Sequence, residues 1–380
     1  MPHRNVFCVS EESETPPSSI TQSLQTDRID TRITLMANMH LLRVTIFSIL
    51  IALVTQAHAD AVVFSLAAPK ARKVLLAGEM TNWDQNKLAM LRGADGVWKA
   101  TVDLEPGEWL YKFVVDGKWI HDPATADHDA DGRGGQHSYV FVGDGPWKVE
   151  PSQPHGQVKA HRIRSRVMGR TMKVNIYLPP DYKKGDALPV LWLLHGGGMD
   201  ADQWLKTGHV ERYFDTLLAK GAIRPFIIVM PSGGKDAYFG ASEKFISKEL
   251  PSWLAANYGI KSSRTHTALA GMSAGGYGTV VLGIRHPDQY GFGYALAGWY
   301  PPELLTELAG VKAIPIELVI RCGIADELLG MNKELAAVLN QRMATYEYQE
   351  VQGAHTFHLW GQQLPEILTS VSRYFDRANP

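Results

Sequence analysis

One short segment constrains the fold of this chain more than any other, Gly271-Met272-Ser273-Ala274-Gly275. An apolar, β-branched run (266–270) precedes it, and a helix-like stretch (276–285) follows it. A strand that turns straight into a helix needs glycines beside the turn, because a side chain there would collide with the neighbouring strand or helix. The pattern predicts a sharp turn that lifts the Ser273 hydroxyl out of a sheet and aims a helix N-terminus at it.

Acidic and histidine residues follow Ser273 in the order expected of a nucleophile, an acid and a base. A buried strand is predicted to end shortly before Asp326, and Glu327 beside it is the alternative acid. A later strand leads to His355, with His358 as the alternative base. In such a set the histidine takes the serine proton and returns it to the leaving group, while the carboxylate holds the imidazole. The predicted catalytic residues are therefore Ser273, Asp326 and His355.

A glycine-rich loop, His195-Gly196-Gly197-Gly198, follows the apolar strand predicted at 189–194. A loop of this type supplies one backbone N–H to the oxygen that becomes negative during acyl transfer, and the residue after the nucleophile supplies another. We expect Gly197 and Ala274 to form this oxyanion hole. The alternative is that the loop is only a flexible connection between a strand and a helix.

Length and composition exclude several classes of protein. The chain has 380 residues, enough for two domains, and its formal net charge of -1 gives no indication of nucleic-acid binding. Of its two cysteines, Cys8 precedes the expected mature start, which leaves Cys322 alone and buried in a strand, so no disulfide framework or cysteine metal site is predicted.

No metal or other cofactor is predicted, because the histidines lack metal-ligand spacing and the expected mechanism requires none. Asp127-His128-Asp129-Ala130-Asp131-Gly132 is similar to the start of a calcium loop, but Ser138 stands where the closing acidic ligand belongs. A solvated acidic turn is the better interpretation. We expect His121, His128 and His137 to lie at the surface.

The N-terminal region has the features of a secretory signal. An apolar run (41–54) follows a small positive start, and Ala57-His58-Ala59 has the spacing of a cleavage site before Asp60. We predict a signal peptide over 36–59 and a disordered or mis-assigned extension over 1–35, with an N-terminal membrane anchor as the alternative. The mature protein is then expected in the periplasm or outside the cell, with no membrane contact after cleavage.

Two regions of the mature chain differ in pattern. Short alternating strands separated by turn signals indicate a small immunoglobulin-like β-sandwich over 60–145, with strands at 61–67, 73–78, 97–104, 108–115 and 138–142. Residues 146–163 are interpreted as a linker. From 164 to 380, strands alternate with helices predicted at 210–219, 243–256, 332–344 and 364–377. This alternation indicates an α/β domain with a mainly parallel, doubly wound sheet.

Most of residues 165–378 resembles the esterase branch of the α/β-hydrolases, and within it the feruloyl-esterase-like carbohydrate esterase family one. The motifs that carry the resemblance are VLWLLHGGG, IIVMPSGG, LAGMSAGGYG, HPDQYGFGYALAG and GAHTFHLW. That family contains feruloyl and acetyl xylan esterases, and the wider fold includes siderophore esterases and mycolyltransferases. The resemblance implies Ser273, Asp326 and His355 as the triad, in agreement with the residue-level argument.

The first region resembles the glycogen-binding modules of carbohydrate-binding module family 48. The resemblance rests on LAGEMTNW (76–83), WLYKFVVDGKW (109–119) and Asp122-Pro123. It implies that Trp83 and Trp119 stack on sugar rings and that Lys112 donates to sugar hydroxyls; flat aromatic faces suit the apolar faces of pyranose rings. The alternative is that both tryptophans pack in the core or against the other domain. The sequence departs from the binders at 134–137, where Gly-Gly-Gln-His replaces a loop that often carries asparagine.

These patterns lead to one main hypothesis and two rivals. The main hypothesis is a secreted serine carboxylesterase that acts through an acyl-enzyme. The resemblance to the esterase family implies feruloyl or acetyl esters of carbohydrates as its substrates. The first rival is a periplasmic siderophore esterase of the enterochelin type, which needs cations such as Lys235, Lys244 or Arg321 for catecholates. The second is a non-catalytic glycan-binding protein.

Overall fold

The structure, a computed structural model, describes residues 59–125, 128–130, 135–233 and 238–378. The predicted extension, the signal peptide up to residue 58 and Cys8 lie outside the described residues, as do Lys235 and three residues of the calcium-like loop, Asp127, Asp131 and Gly132. Within the described ranges, no helix combines the length and the apolar character needed to cross a membrane.

Two antiparallel sheets form the N-terminal domain, which confirms the predicted β-sandwich. One sheet has the order β1-β4-β3, with β1 (Asp60–Ala67), β3 (Leu91–Arg92) and β4 (Val97–Leu104). The other has the order β2-β5-β8-β7 with β6 on β5, and contains β2 (Val74–Gly78), β5 (Gly107–Val115), β6 (Lys118–Ile120), β7 (His128–Ala130) and β8 (Gln136–Val142). A short 3-10 turn (Glu79–Thr81) follows β2. Phe64, Trp98 and Phe113 pack in the core between the sheets.

The C-terminal domain is built on one sheet of eight strands in the order β16-β15-β14-β13-β11-β12-β10-β9. Its strands are β9 (Gln157–Arg164), β10 (Thr171–Leu178), β11 (Val190–Leu194), β12 (Ile227–Pro231), β13 (Thr267–Met272), β14 (Phe292–Leu296), β15 (Glu317–Gly323) and β16 (Tyr346–Val351). At one edge, β10 pairs antiparallel with both of its neighbours, β9 and β12. All other neighbouring strands of the sheet pair in parallel. Strands β11 to β14 are buried at every residue, as a parallel sheet covered on both faces requires.

Helices cover both faces of this sheet, which confirms the predicted doubly wound α/β architecture. They are α1 (Gln203–Lys206), α2 (Val210–Ala219), α3 (Ala241–Lys244), α4 (Leu250–Tyr258), α5 (Ala274–Arg285), α6 (Pro302–Gly310), α7 (Leu329–Gln341) and α8 (Phe357–Ala378). Alternate residues of β11 divide the core between the two faces. Trp192 packs with α4, α5 and α7 on one face, and Leu193 packs with α2 and α8 on the other.

Several element boundaries differ from the sequence predictions. The helix predicted at 364–377 begins at Phe357, and the one predicted at 243–256 is divided by a π-helical segment (Phe245–Glu249) between α3 and α4. Part of the predicted linker, 157–163, lies in strand β9, whose residues are mostly exposed and therefore lack an apolar pattern. Cys322 is buried in β15, as expected, and burial raises the pKa of its thiol to about 12.

Candidate active site

Ser273 occupies the turn between β13 and α5 with φ 54° and ψ -117°. A non-glycine residue rarely adopts this backbone conformation, which persists only where the surroundings hold it. Here the Ser273 N–H donates to the carbonyl of Leu296 at 2.9 Å, and the Ser273 carbonyl accepts from the N–H groups of Tyr277 at 3.1 Å and Trp299 at 3.2 Å. The predicted sharp turn is therefore present, and it is tied to the neighbouring strand and to its own helix.

The glycines around Ser273 are required by close backbone contacts. A Cβ on Gly271 would lie 2.5 Å from the carbonyl carbon and oxygen of Gly275, and a Cβ on Gly275 would lie 2.3 Å from the carbonyl oxygen of Leu194. A Cβ on Gly276 would lie 2.7 Å from the Cα of Gly298. All of these neighbours are backbone atoms, which cannot move aside as a flexible side chain can. At each of these glycines, the structure thus identifies the backbone atoms with which an added side chain would collide.

The glycine-rich loop after β11 lies directly beside the turn. A Cβ on Gly196 would be 3.5 Å from the Cβ of Ser273, and a Cβ on Gly197 would be 3.9 Å from the Cβ of Ala274. Ala274 is the first residue of α5, where backbone N–H groups have no partner within the helix. The structure therefore places both predicted oxyanion-hole residues next to Ser273.

His195 holds this loop in place, a role that the sequence prediction missed. Its Nε2 accepts the N–H of Gly233 at 2.8 Å, and its Nδ1 lies 2.7 Å from the carbonyl oxygen of Gly196. With Nε2 as acceptor, Nδ1 carries the proton and donates. The His195 carbonyl also accepts the hydroxyl of Tyr238 at 2.9 Å. Burial lowers the pKa of His195, which favours the neutral ring that this pattern requires.

Asp326 and His355 meet on the loops that follow β15 and β16. The Nδ1 atom of His355 lies 2.9 Å from Oδ2 of Asp326. The other carboxylate oxygen of Asp326 accepts the N–H of Leu328 at 2.8 Å, and the Asp326 side chain is fully buried. The loops themselves are joined, because the N–H of Ala325 donates to the carbonyl of Gly353 at 3.0 Å. The carboxylate thus fixes the ring so that Nε2 is left for another partner.

The alternative acid and base are placed differently. Glu327 is exposed, although one of its carboxylate oxygens comes within 4.8 Å of the ligand atoms of Asp326 and His355. His358 faces the N-terminal domain, where its Nδ1 lies 2.9 Å from the carbonyl oxygen of Glu108. Its ring stacks on Trp109 with 3.5 Å between centroids. The geometry therefore favours Asp326 and His355 over Glu327 and His358.

An exposed aromatic patch adjoins the turn, and the sequence prediction did not include it. Trp299 and Phe239 are 39% and 43% exposed, and each packs against Tyr277 in the first turn of α5, with ring centroids 5.8 Å and 6.2 Å away. Neighbouring exposed aromatic side chains that form an apolar patch are typical of a ligand-binding groove or an interaction site. The available signal was their position, just after β14 and just before α3, where loops reach the same edge of the sheet as Ser273.

The three residues predicted to bind carbohydrate do not share one environment. Trp119 is 42% exposed and pairs with Val114 across β5 and β6, so it shares a sheet face with Lys112, two residues along β5. Trp83 is half-buried and packs against an apolar cluster that contains residues of both domains. The structure thus places Lys112 and Trp119 on one face, and it places Trp83 against this cluster; the sugar-binding role of these residues stays a prediction.

Two further sequence expectations need correction. His137 is buried, not at the surface, because β8 lies inside the second sheet of the N-terminal domain. Arg321 is buried in β15 and forms ion pairs with Glu347 and with Glu366, the latter at 2.7 Å. Its guanidinium is therefore not free to hold a catecholate, whereas Lys244 is exposed.

Comparison with known families agrees with both resemblances. Residues 165–305 match the family model described as "Putative esterase". The C-terminal domain carries the esterase family's sequence pattern. Residues 62–134 match the glycogen recognition site of AMP-activated protein kinase. The resemblances drawn from the sequence are thereby confirmed for both domains.

Individual relatives extend across the esterase domain and beyond it. An endo-1,4-beta-xylanase/feruloyl esterase of Xylanibacter ruminicola is 27% identical over 81% of this chain and 44% of its own length. A diacylglycerol acyltransferase/mycolyltransferase of Mycobacterium avium is 30% identical over 40% of this chain and 47% of its own length. The chain thus spans about half the length of the curated relatives it matches.

Solved structures show the same fold. A ferulic acid esterase superposes with a TM-score of 0.54 at 24% identity, over 58% of this chain and all of that one. The enterobactin esterase of Shigella flexneri superposes with a TM-score of 0.69 at 18% identity, over 84% of this chain and 94% of that one. The second match includes a large part of both domains, so the likeness extends to the N-terminal domain as well as the esterase domain.

Proposed function

We propose that this protein is a serine carboxylesterase that hydrolyses aromatic-acyl (feruloyl) or acetyl esters of carbohydrates. The observation that carries the proposal is the buried Asp326 carboxylate, 2.9 Å from the His355 imidazole, at the sheet edge where the Ser273 turn also lies. Strands β13, β15 and β16 are parallel, so the loops after them meet at one edge, where ligands bind in open α/β sheets. The esterase-family match of residues 165–305 supports the same reaction class.

In the proposed reaction, the Ser273 hydroxyl attacks the ester carbonyl carbon and its proton passes to Nε2 of His355. Asp326 holds the Nδ1–H side of the ring and stabilises the imidazolium. The N–H groups of Gly197 and Ala274 bind the oxygen that becomes negative, an interaction typically worth about 3–4 kcal/mol per donor in enzymes of this type. The protonated His355 then gives its proton to the alcohol oxygen, and the alcohol leaves. In the second half of the reaction, His355 takes a proton from water, the water oxygen attacks the acyl-enzyme, and the acid is released from Ser273.

The aromatic patch supports an aromatic acyl group as substrate. The backbone N–H of Trp299 donates to the Ser273 carbonyl, and the Trp299 ring packs against Tyr277 in the first turn of α5. Phe239 packs against Tyr277 as well and extends this apolar surface. Stacked aromatic pairs add about 0.5–1.5 kcal/mol beyond the area they bury. We propose that the sheet face with Lys112 and Trp119 binds the carbohydrate part of the ester. We also propose that the protein is secreted, on the basis of the cleavage-site motif Ala57-His58-Ala59.

The first experiment is to measure initial rates of the full chain on methyl ferulate and p-nitrophenyl acetate, with Ser273→Ala as the matched control. Ferulate release that is abolished in Ser273→Ala is the expected result. Turnover of acetate alone would exclude the feruloyl substrate, and a cyclic catecholate triester should then be tested for the siderophore alternative. No turnover of any ester, with glycan binding retained, would favour the non-catalytic glycan-binding protein.

A further inference from the structure

The N-terminal domain contacts the start of helix α8 through Glu79. The carboxyl oxygen Oε1 of Glu79 accepts the backbone N–H of His358 at 2.8 Å, and the other oxygen, Oε2, accepts the N–H of Leu110 at 2.9 Å. One of these donors belongs to the β-sandwich and the other to the esterase domain. The Glu79 side chain therefore bridges the two domains with both of its oxygens.

This carboxyl group is unusually placed for an acidic residue. Glu79 is 6% exposed, and burial raises its pKa to about 8 although backbone N–H groups at Leu110 and His358 act in the opposite direction. Burying such a group costs free energy unless its oxygens are well hydrogen-bonded. The bridge to α8 supplies those bonds, so the position of Glu79 and the position of the helix start depend on each other.

Other groups of the N-terminal domain hold the same turn of α8. The His358 ring stacks on Trp109 and bonds the carbonyl of Glu108, and a Cβ on Gly107 would lie 3.0 Å from the ring's Cε1 atom. Gln362, one turn further along, donates its side-chain amide to the carbonyl oxygen of Pro106 at 3.5 Å. The first turn of α8 is thus clamped from the side of the β-sandwich.

His355 is only three residues before His358, and hydrogen bonds hold the backbone between them. The N–H of Thr356 donates to the carbonyl of Ala354 at 2.8 Å, and the N–H of Trp360 donates to the carbonyl of Thr356 at 3.2 Å. The Trp360 ring also contacts the His355 ring edge to face, with centroids 5.0 Å apart. A displacement of the helix start would therefore be transmitted to the imidazole.

We propose that Glu79 is a positioning residue for His355: by holding the first turn of α8, the N-terminal domain places the base that takes the Ser273 proton. This inference rests on the proposed function, because it gives His355 its role. A displacement of about 1 Å in a catalytic group commonly costs on the order of 100-fold in rate. We therefore expect Glu79→Ala to lower kcat and to leave KM nearly unchanged.

The test uses two readouts on the full chain. The first is the rate at which a fluorophosphonate labels Ser273, where the serine oxygen bonds to phosphorus, fluoride leaves and the base takes the proton. The second is amide hydrogen exchange of the segment 354–362, which does not depend on catalysis. The variants are Glu79→Ala, Glu79→Gln, which keeps one of the two acceptors, and Glu105→Ala as a control at an exposed site on the same domain.

We expect Glu79→Ala to slow labelling at least 10-fold and to raise exchange in 354–362, Glu79→Gln to have an intermediate effect, and Glu105→Ala to stay within twofold of the wild type. If Glu79→Ala fails to fold, the labelling rate and the hydrogen exchange of Glu79→Gln alone decide whether Glu79 positions His355. Labelling within twofold and unchanged exchange in a folded Glu79 variant would overturn the inference. If the wild-type Ser273 is not labelled at all, the proposed function fails instead, and exchange still decides whether Glu79 holds this segment.

Discussion

The tight contact between Gly275 and the end of β11 allows a quantitative prediction for Gly275→Ala. The added methyl would lie 2.3 Å from the Leu194 carbonyl oxygen, 2.7 Å from its carbon and 2.9 Å from the His195 carbonyl oxygen. The closest of these is roughly 1 Å shorter than an ordinary van der Waals contact of about 3.5 Å. Helix α5 and the loop at 195–198 must therefore move apart by a comparable distance.

This displacement has two measurable effects. Overpacking typically costs about 1–3 kcal/mol, and the upper end applies because both sides of the contact are backbone. At about 2–4 °C per kcal/mol for a domain of this size, the melting temperature should fall by roughly 6–12 °C. Separation of Gly197 from Ser273 should lower kcat/KM on an aryl ester by about 100-fold, well beyond the effect of stability at 25 °C.

The matched control is Gly330→Ala. A Cβ on Gly330, the second residue of α7, has no heavy atom within 4 Å, and alanine favours a helix by up to about 1 kcal/mol over glycine. This variant should keep wild-type activity and melt at the same or a slightly higher temperature. If Gly275→Ala behaved like Gly330→Ala, with kcat/KM within threefold of the wild type, the steric account of the turn would be refuted.

Three further predictions concern the triad acid, the carbohydrate face and the buried carboxyl at the domain contact. Asp326→Asn should lower kcat by on the order of 1,000- to 10,000-fold, whereas exposed Glu327→Gln should stay within about threefold; the reverse order in steady-state assays would reassign the acid. Trp119→Ala should weaken binding of soluble oligosaccharides in calorimetry without changing the melting temperature, and half-buried Trp83→Ala should instead cost about 2–3 kcal/mol of stability; equal oligosaccharide affinities for wild type and Trp119→Ala would move the glycan site elsewhere. Burial raises the pKa of Glu79 from 4.5 to about 8, so the folded state binds this proton more tightly than the unfolded state. The resulting stability is fully present below pH 4.5 and declines as pH rises to about 8, by up to about 5 kcal/mol, and denaturant titrations of Glu79→Gln should lack this decline.

The arrangement of the candidate site could be predicted in large part, because the signals for its turn and loops are local and ordered along the chain. The glycines around Ser273 report a turn that only glycine permits, and the parallel topology brings the loop with Asp326 and the loop with His355 to the same edge. The sequence favoured Asp326 and kept the adjacent Glu327 as the alternative, and the coordinates separate the two residues: Asp326 is buried and lies 2.9 Å from His355, whereas Glu327 is exposed.

Other features depend on contacts between segments that are distant in sequence. The helix predicted to begin at 364 begins at Phe357, and Pro365 therefore lies inside α8, at a position where proline usually interrupts a helix. Strand β9 escaped notice because an exposed edge strand shows no apolar alternation. Trp83 packs against a cluster whose members come from both domains, which no local pattern reveals.

Leu110 of β5 belongs to the same apolar cluster as Trp360 and Leu364 of α8, although it comes from the N-terminal domain. The described residues between 59 and 378 accordingly form one compact unit. Because the two domains share buried apolar surface, we expect them to move and unfold together. We therefore do not expect the β-sandwich to be exchangeable between enzymes. Its removal would expose apolar side chains of the esterase domain to water, and the isolated β-sandwich would expose Leu110.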